Sequence, residues 1–219
     1  MDEDGFDDGG GPDAETLDDL DRRRALTAEY SRYSRNAGGL GNVIGGTLCA
    51  IAFLLDRLTT LPYAARLALA ATPFVWIATK ESLRRRLYQR FGVVEEAWTP
   101  KERRTHRRRN GILAAASVLL VAIMLNYARF APQSQVLGFV AMIVAMPILS
   151  ARFLRSREEF KVGVVLFCQA AVMLSGGRLG YLVFAAALVF STSAIAVGLR
   201  QHRAFRRIAR ELSELGPVS

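Results

Sequence analysis

Between Lys80 and Asn110 the chain reads KESLRRRLYQRFGVVEEAWTPKERRTHRRRN. Two Lys and nine Arg fall within it, and a long apolar stretch lies on either side. A segment with this charge does not rest in hydrocarbon. If the flanking stretches cross a bilayer, the side on which 80–110 lies sets the side of every other loop.

The whole chain has the features of a polytopic membrane protein. Its 219 residues have a mean hydropathy of +0.19 and are 51% hydrophobic, which by themselves would suit an ordinary soluble domain. The distribution excludes that reading. Apolar residues come in blocks, and nearly all charge lies between them, whereas the helices of a soluble domain mix the two into amphipathic faces. The net charge of +9 conceals two opposed parts. Residues 1–21 hold ten of the 20 acidic residues and no Lys or Arg, so 29 basic and ten acidic residues leave the remainder at +19. In a membrane protein such an excess belongs to cytoplasmic loops that meet anionic headgroups, in preference to nucleic acid. Cys49 and Cys168 both lie in apolar blocks and read as small buried hydrophobes. Only Lys80, Lys101 and Lys161 are lysines, which together with the Ala-rich blocks points to a GC-rich bacterial genome.

Residues 1–15, acidic and Gly-rich, cannot bury enough apolar surface to offset ordering and read as a disordered tail. Residues 16–36 carry Leu17, Leu20, Leu26, Tyr30 and Tyr33 at helical spacing with arginines between, the pattern of an amphipathic helix. It suits the cytoplasmic membrane interface, and a partner-binding helix would have the same signature.

The membrane domain, 37–198, divides into six expected spans near 37–55, 62–79, 111–128, 134–150, 162–175 and 181–198. The first is glycine-dense, and Gly41 and Gly45 form a G-x-x-x-G pair that lets two backbones approach closely in lipid. A dinucleotide loop is rejected there, because Ile44 stands where the third glycine is needed and no strand precedes it. Thr99, Pro100 and Glu102 form a capping box with proline at the first helical position, so one helix should run from there into the third span. The fourth and fifth spans have short apolar cores and could form a re-entrant pair, and Pro147 could kink the fourth. The last continues into a basic helix over 199–219 that should end before Gly216-Pro217.

Orientation follows from counting Lys and Arg. The segment before the first span holds 5, the 80–110 loop 11, the 150–161 loop 4 and the C-terminal segment 5. These 25 stand against Arg57, Arg129 and Arg178 on the alternate loops. The expectation is an all-α, six-span protein of the bacterial plasma membrane with both termini in the cytoplasm.

Candidate functional residues are few. Arg66 lies in a span but only about one turn from the helix start, where it can snorkel to the headgroups. Gln169 and Ser191, Thr192 and Ser193 lie nearest the midplane and either line a pathway or bond between helices. His106 and His202 each lie in an arginine run without a second ligand at helical spacing, and Glu95-Glu96 and Glu158-Glu159 read as local ion pairs with arginine. No catalytic, metal or cofactor residue is expected, and the chain reads as no enzyme. Arg84, Arg85, Arg86, Arg107, Arg108 and Arg109 are the expected contacts to anionic lipid or to an acidic protein partner. Two function classes follow. One is a non-enzymatic membrane subunit, scaffold or regulatory partner. The other is a small oligomeric transporter or channel component with a pathway near Gln169 and Ser191 to Ser193.

Overall fold

The computed structural model describes residues 22, 25–30, 33, 37–91, 99–128, 132–176 and 180–214. The expectations for the acidic tail and for a helix stop near residue 92 lie outside them. Every regular element among the described residues is helical. After a tight turn over Ala37–Gly39 come α1 (Leu40–Leu58), α2 (Tyr63–Ala70), α3 (Thr72–Phe91), α4 (Pro100–Tyr127), α5 (Gln133–Phe153), α6 (Arg157–Leu174) and α7 (Tyr181–Glu214). Four are long and apolar enough to cross a membrane: α1 with its leading turn, α4, α5 and α7.

The remaining two expected spans take other forms. Where one helix over 62–79 is expected, the chain breaks at Ala71 into α2 and α3. Pro73 is the cause. Its nitrogen carries no proton, and its ring would clash with the carbonyl four residues earlier. The backbone therefore closes a tight turn, with Ala71 N donating to the Ala68 carbonyl, and restarts with Phe74 and Val75 N donating to Ala71. Pro147, by contrast, lies inside α5, which continues past it. The expected fifth span is α6, an interior helix that packs against α1, α2, α3 and α5. Ten of its 18 residues are buried, Glu159 among them. Its first turns hold Arg157, Glu158, Glu159 and Lys161, so its apolar part is short, and protein surrounds much of it.

The seam between α1 and α7 runs antiparallel along the whole apolar length. Gly39 meets Gly198 at one end, Gly46 faces Ser191, Ala194 and Ile195 in the middle, and the Arg57 guanidinium lies 3.7 Å from the Tyr181 ring centre at the other end. Close approach demands glycine here. A Cβ on Gly39 would strike the Gly198 carbonyl oxygen, and its φ of +86° is one that L side chains rarely adopt. Gly45 looks the other way, and a Cβ there would run into Val162 of α6 and Trp76 of α3. Trp76 is fully buried and donates from Nε1 to the Gly41 carbonyl at 2.7 Å. Gly41 thus serves α3 and Gly45 serves α3 and α6, while Gly39 and Gly46 serve α7.

The amphipathic N-terminal segment has its partner within the chain. Residues 25–30 are helical, and Tyr30 packs with Leu26 and Tyr33 against Phe205, Ile208, Ala209 and Leu212 of α7. The Tyr30 and Phe205 rings lie 5.0 Å apart. α7, about 51 Å long at 1.5 Å per residue, therefore serves α1 with its apolar part and this segment with its basic extension.

Candidate functional site

One end of the bundle gathers the polar groups. It comprises the start of α1, the middle of α3, the polar first part of α4, the end of α5, the start of α6 and the extension of α7. At its centre lie Lys80 of α3 and Glu159 of α6, 1% and 0% exposed, with Nζ 3.3 Å from Oε2. The ammonium has three donors and faces three oxygens: Glu159 Oε2, the Phe153 carbonyl at 2.5 Å and Glu81 Oε1 at 3.5 Å. A compact ammonium suits this narrow convergence better than a planar guanidinium would. Glu159 also closes a capping box. Its carboxylate accepts from the backbone N–H of Arg155 and Ser156, and the Ser156 hydroxyl accepts from Glu159 N. Burial pushes the Glu159 carboxyl above the usual carboxylate range, and Lys80 pulls it back.

The second half of this cluster solves the problem of the α5 C-terminus, whose last carbonyls have no helical partner. α4 supplies donors. Arg109 reaches the Leu154 carbonyl at 3.1 Å and the Ser156 carbonyl at 3.3 Å, and its guanidinium lies 4.2 Å from the Phe160 ring centre. A His106 ring nitrogen lies 3.3 Å from the Ala151 carbonyl. Asn110 Oδ1 accepts from the Ser150 hydroxyl. Positive charge at a helix C-terminus also complements the macrodipole. His106 and Arg109 stand on the polar extension, before the apolar stretch beginning at Gly111. Burial pushes the imidazole of His106 below its ordinary value, the Ala151 carbonyl opposes this, and the Arg109 charge adds to it.

The six arginines grouped by sequence as surface contacts therefore separate. Arg85, Arg86, Arg107 and Arg108 are exposed. Arg84 turns to Glu81, with Nη2 to Oε2 at 2.6 Å, and Arg109 turns inward to the carbonyls. The triplets divide because a helix turns by 100° per residue, so three consecutive arginines cannot share a face.

Of the polar residues expected near the midplane, Gln169 and Ser191 both reach Cys49 of α1, at its carbonyl and its thiol, whereas Thr192 and Ser193 do not join them. Ser191 is buried against α1 and donates back to the Ala187 carbonyl of its own helix at 2.8 Å. Thr192 and Ser193 are exposed, and Thr192 bonds to its own helix. Gln169, 3% exposed, makes only a long 3.5 Å contact from Nε2 to the Cys49 carbonyl, and its buried Oε1 has no hydrogen-bond partner. Arg66 is half-buried on α2, its Nε without a partner.

Sequence reasoning missed the Lys80–Glu159 pair. It placed both residues in loops and read Glu158-Glu159 as local pairing with arginine. A signal was present. Ser156-Arg157-Glu158-Glu159 has the S-x-x-E form of a capping box directly before an apolar run, so Glu159 belongs to a helix start. Among the described residues no three His, Cys, Asp or Glu side chains come together in a way that could hold a metal.

A slot opens between α6 and α7, which do not pack closely on each other. Its apolar part, about 340 Å³, is lined by Val165, Cys168 and Gln169 of α6, Val183 and Ala186 of α7, and Phe53 of α1 among others. Next to it, with Phe190 lining both, lies a polar part of about 180 Å³ lined by Asn42, Glu158, Lys161 and Ser193.

The chain matches no known protein family, no curated protein and no solved structure.

Proposed function

We propose that the protein is a non-enzymatic subunit of a bacterial plasma membrane, a scaffold or regulatory partner that crosses six times with both termini in the cytoplasm. Its basic cytoplasmic helices bind anionic lipid and the acidic surface of a second protein. The observation that carries this reading is the division of labour among the charges. Lys80, Glu159, Arg84 and Arg109 are engaged inside the protein. Arg85, Arg86, Arg103, Arg104, Arg107 and Arg108 stay exposed on α3 and α4, and they are the cationic ledge of this reading. Support for the topology comes from the alternation of helix ends. Lys80 meets Glu159, Arg109 meets Leu154, and Gly39 meets Gly198 at the basic end, while Arg57 meets Tyr181 at the other. Each basic residue near an anionic leaflet contributes about 1 kcal/mol, so the ledge is a substantial electrostatic surface.

The test is cross-linking and recovery of the tagged protein from its native membrane, compared with a variant in which these six arginines are glutamine. The reading requires a foreign protein recovered in stoichiometric amount and lost from the variant. Equal recovery from both would reduce the arginines to a topology signal.

A second reading, a small oligomeric transporter or channel component, is favoured by one observation: Gln169 Oε1 is buried and unpartnered on the wall of the α6–α7 slot. Gln169→Leu should then abolish flux in liposomes while sparing assembly. A residue that only packs would change stability alone.

A further inference from the structure

The α6–α7 slot has a polarity gradient along its length. From Glu158 to Val172, lining residues at its two extremes on α6, the distance is about 21 Å at 1.5 Å per residue. Half of a typical hydrocarbon core is about 15 Å, so the slot reaches from the headgroup level past the depth of one leaflet. Its apolar part has no charged lining residue. Its polar part lies at the basic end of the bundle, level with the capping box that begins α6.

Four side chains in the polar part define what it can hold. Lys161 and Glu158 pair with each other at 3.0 Å and remain partly exposed, so both can turn toward a ligand. Ser193 adds a hydroxyl. Asn42 is 1% exposed, and its Nδ2 donates to Gln201 Oε1 at 3.1 Å, while its buried Oδ1 has no partner. An unmade hydrogen bond on a buried acceptor is costly, and Asn42 is one of the residues that line this cavity. The set thus offers donors (Lys161, Ser193) beside acceptors (Glu158, Asn42 Oδ1), with no net charge.

We propose that this slot holds one glycerophospholipid whose headgroup carries a primary ammonium, a phosphatidylethanolamine. The phosphate takes Lys161 and Ser193. The ammonium donates to Glu158 and Asn42 Oδ1, and one acyl chain lies along Val165, Cys168, Ala186 and Val183. A quaternary ammonium has no N–H for the two acceptors, and an anionic headgroup would leave a net charge opposite a neutral lining. A helix from a second copy would match the apolar part but not the paired donors and acceptors. The site is separate from the arginine ledge and requires only that the protein lies in a bilayer, so it can fail or hold independently of the partner reading.

The experiment is native mass spectrometry of the full-length protein, extracted from nanodiscs of equimolar phosphatidylethanolamine, phosphatidylcholine and phosphatidylglycerol. One phosphatidylethanolamine per chain should survive detergent exchange, favoured about tenfold over either competitor, a factor equivalent to 1.4 kcal/mol. Glu158→Gln with Lys161→Ala should erase that preference. Ala186→Trp should block retention, with Val183→Trp as a second blocking variant. Ala186 and Val183 are exposed to the slot, so either change leaves the packed seam intact, which size-exclusion profiles would check. Absence of bound lipid, equal retention of the three lipids, lipid undiminished in both tryptophan variants, or a second copy of the chain in its place would each overturn the proposal.

Discussion

α1 and α4 are both apolar helices long enough to cross a bilayer, yet the bundle treats them oppositely. Half of the apolar stretch of α1 is buried within the protein (50%), against 11% for α4. α1 is gripped along its whole length, and Gly39, Gly45 and Gly46 touch α3, α6 and α7 where a Cβ would not fit. Among the described residues α4 packs mainly on α5, exposes Ile112, Val118, Leu119 and Ile123, and has a glycine, Gly111, with nothing within 4 Å of a Cβ. What α4 lacks in buried surface it partly recovers through the Arg109, His106 and Asn110 contacts at one end. Hydropathy marks both helices as spans. Only the neighbours distinguish a helix that holds the bundle together from one that faces lipid.

The comparison can be broken most forcefully at the polar end. Lys80→Ala leaves Glu159 buried without its ion partner and should cost about 3–5 kcal/mol. Lys80→Met with Glu159→Gln should recover most of it, because no unpaired charge then remains. Unfolding in mixed micelles measures both, and a single variant as stable as the parent would remove the pair from the account of the fold.

Arg109→Ala comes next. Charge-assisted hydrogen bonds contribute about 1.5–3 kcal/mol, and this loss should be local. Hydrogen exchange should accelerate at the end of α5 and in the first turns of α4, while the α1–α7 seam stays protected. Uniform acceleration would mean that α4 is not held separately.

The glycines sharpen the contrast. Gly45→Val should destabilise by about 1–3 kcal/mol through overpacking against Val162 and Trp76. Gly111→Ala should stabilise by up to about 1 kcal/mol through helix propensity alone. Thermal melts of the two variants should therefore move in opposite directions.

The smallest effect concerns pH. Burial lowers the His106 pKa below its ordinary 6.5. Folding thus favours the neutral ring, and this contribution is present above the ordinary value and lost as pH falls through the folded one. Between pH 7.5 and pH 5.5 the wild-type protein should lose more thermal stability than His106→Asn. Comparing the two cancels Glu159, whose raised pKa acts in the opposite sense.

Much of this was legible from local signals. The capping box at Thr99 forms as its spacing reads, with the Thr99 side chain accepting from Glu102 N and Glu102 accepting from Thr99 N. The small-residue face of α1 was visible as glycine density. The break at Ala71 was not read, although Pro73 lay in the middle of an expected span, because the apolar run outweighed the backbone rule. The slot was beyond reach, since it depends on how far α6 and α7 stand apart on α1.

By itself the sequence determined an all-helical chain of apolar runs, read as six spans, because runs of apolar residues and caps act within one segment. Four of those runs form helices long and apolar enough to cross a membrane. The tertiary structure alone decided which charges turn inward. Lys80 and Glu159 are 79 positions apart in sequence and 3.3 Å apart in space. Burying such a pair is favourable only when both ions and the carbonyls that satisfy them arrive together, and that condition belongs to the packed helices and to no single stretch of chain.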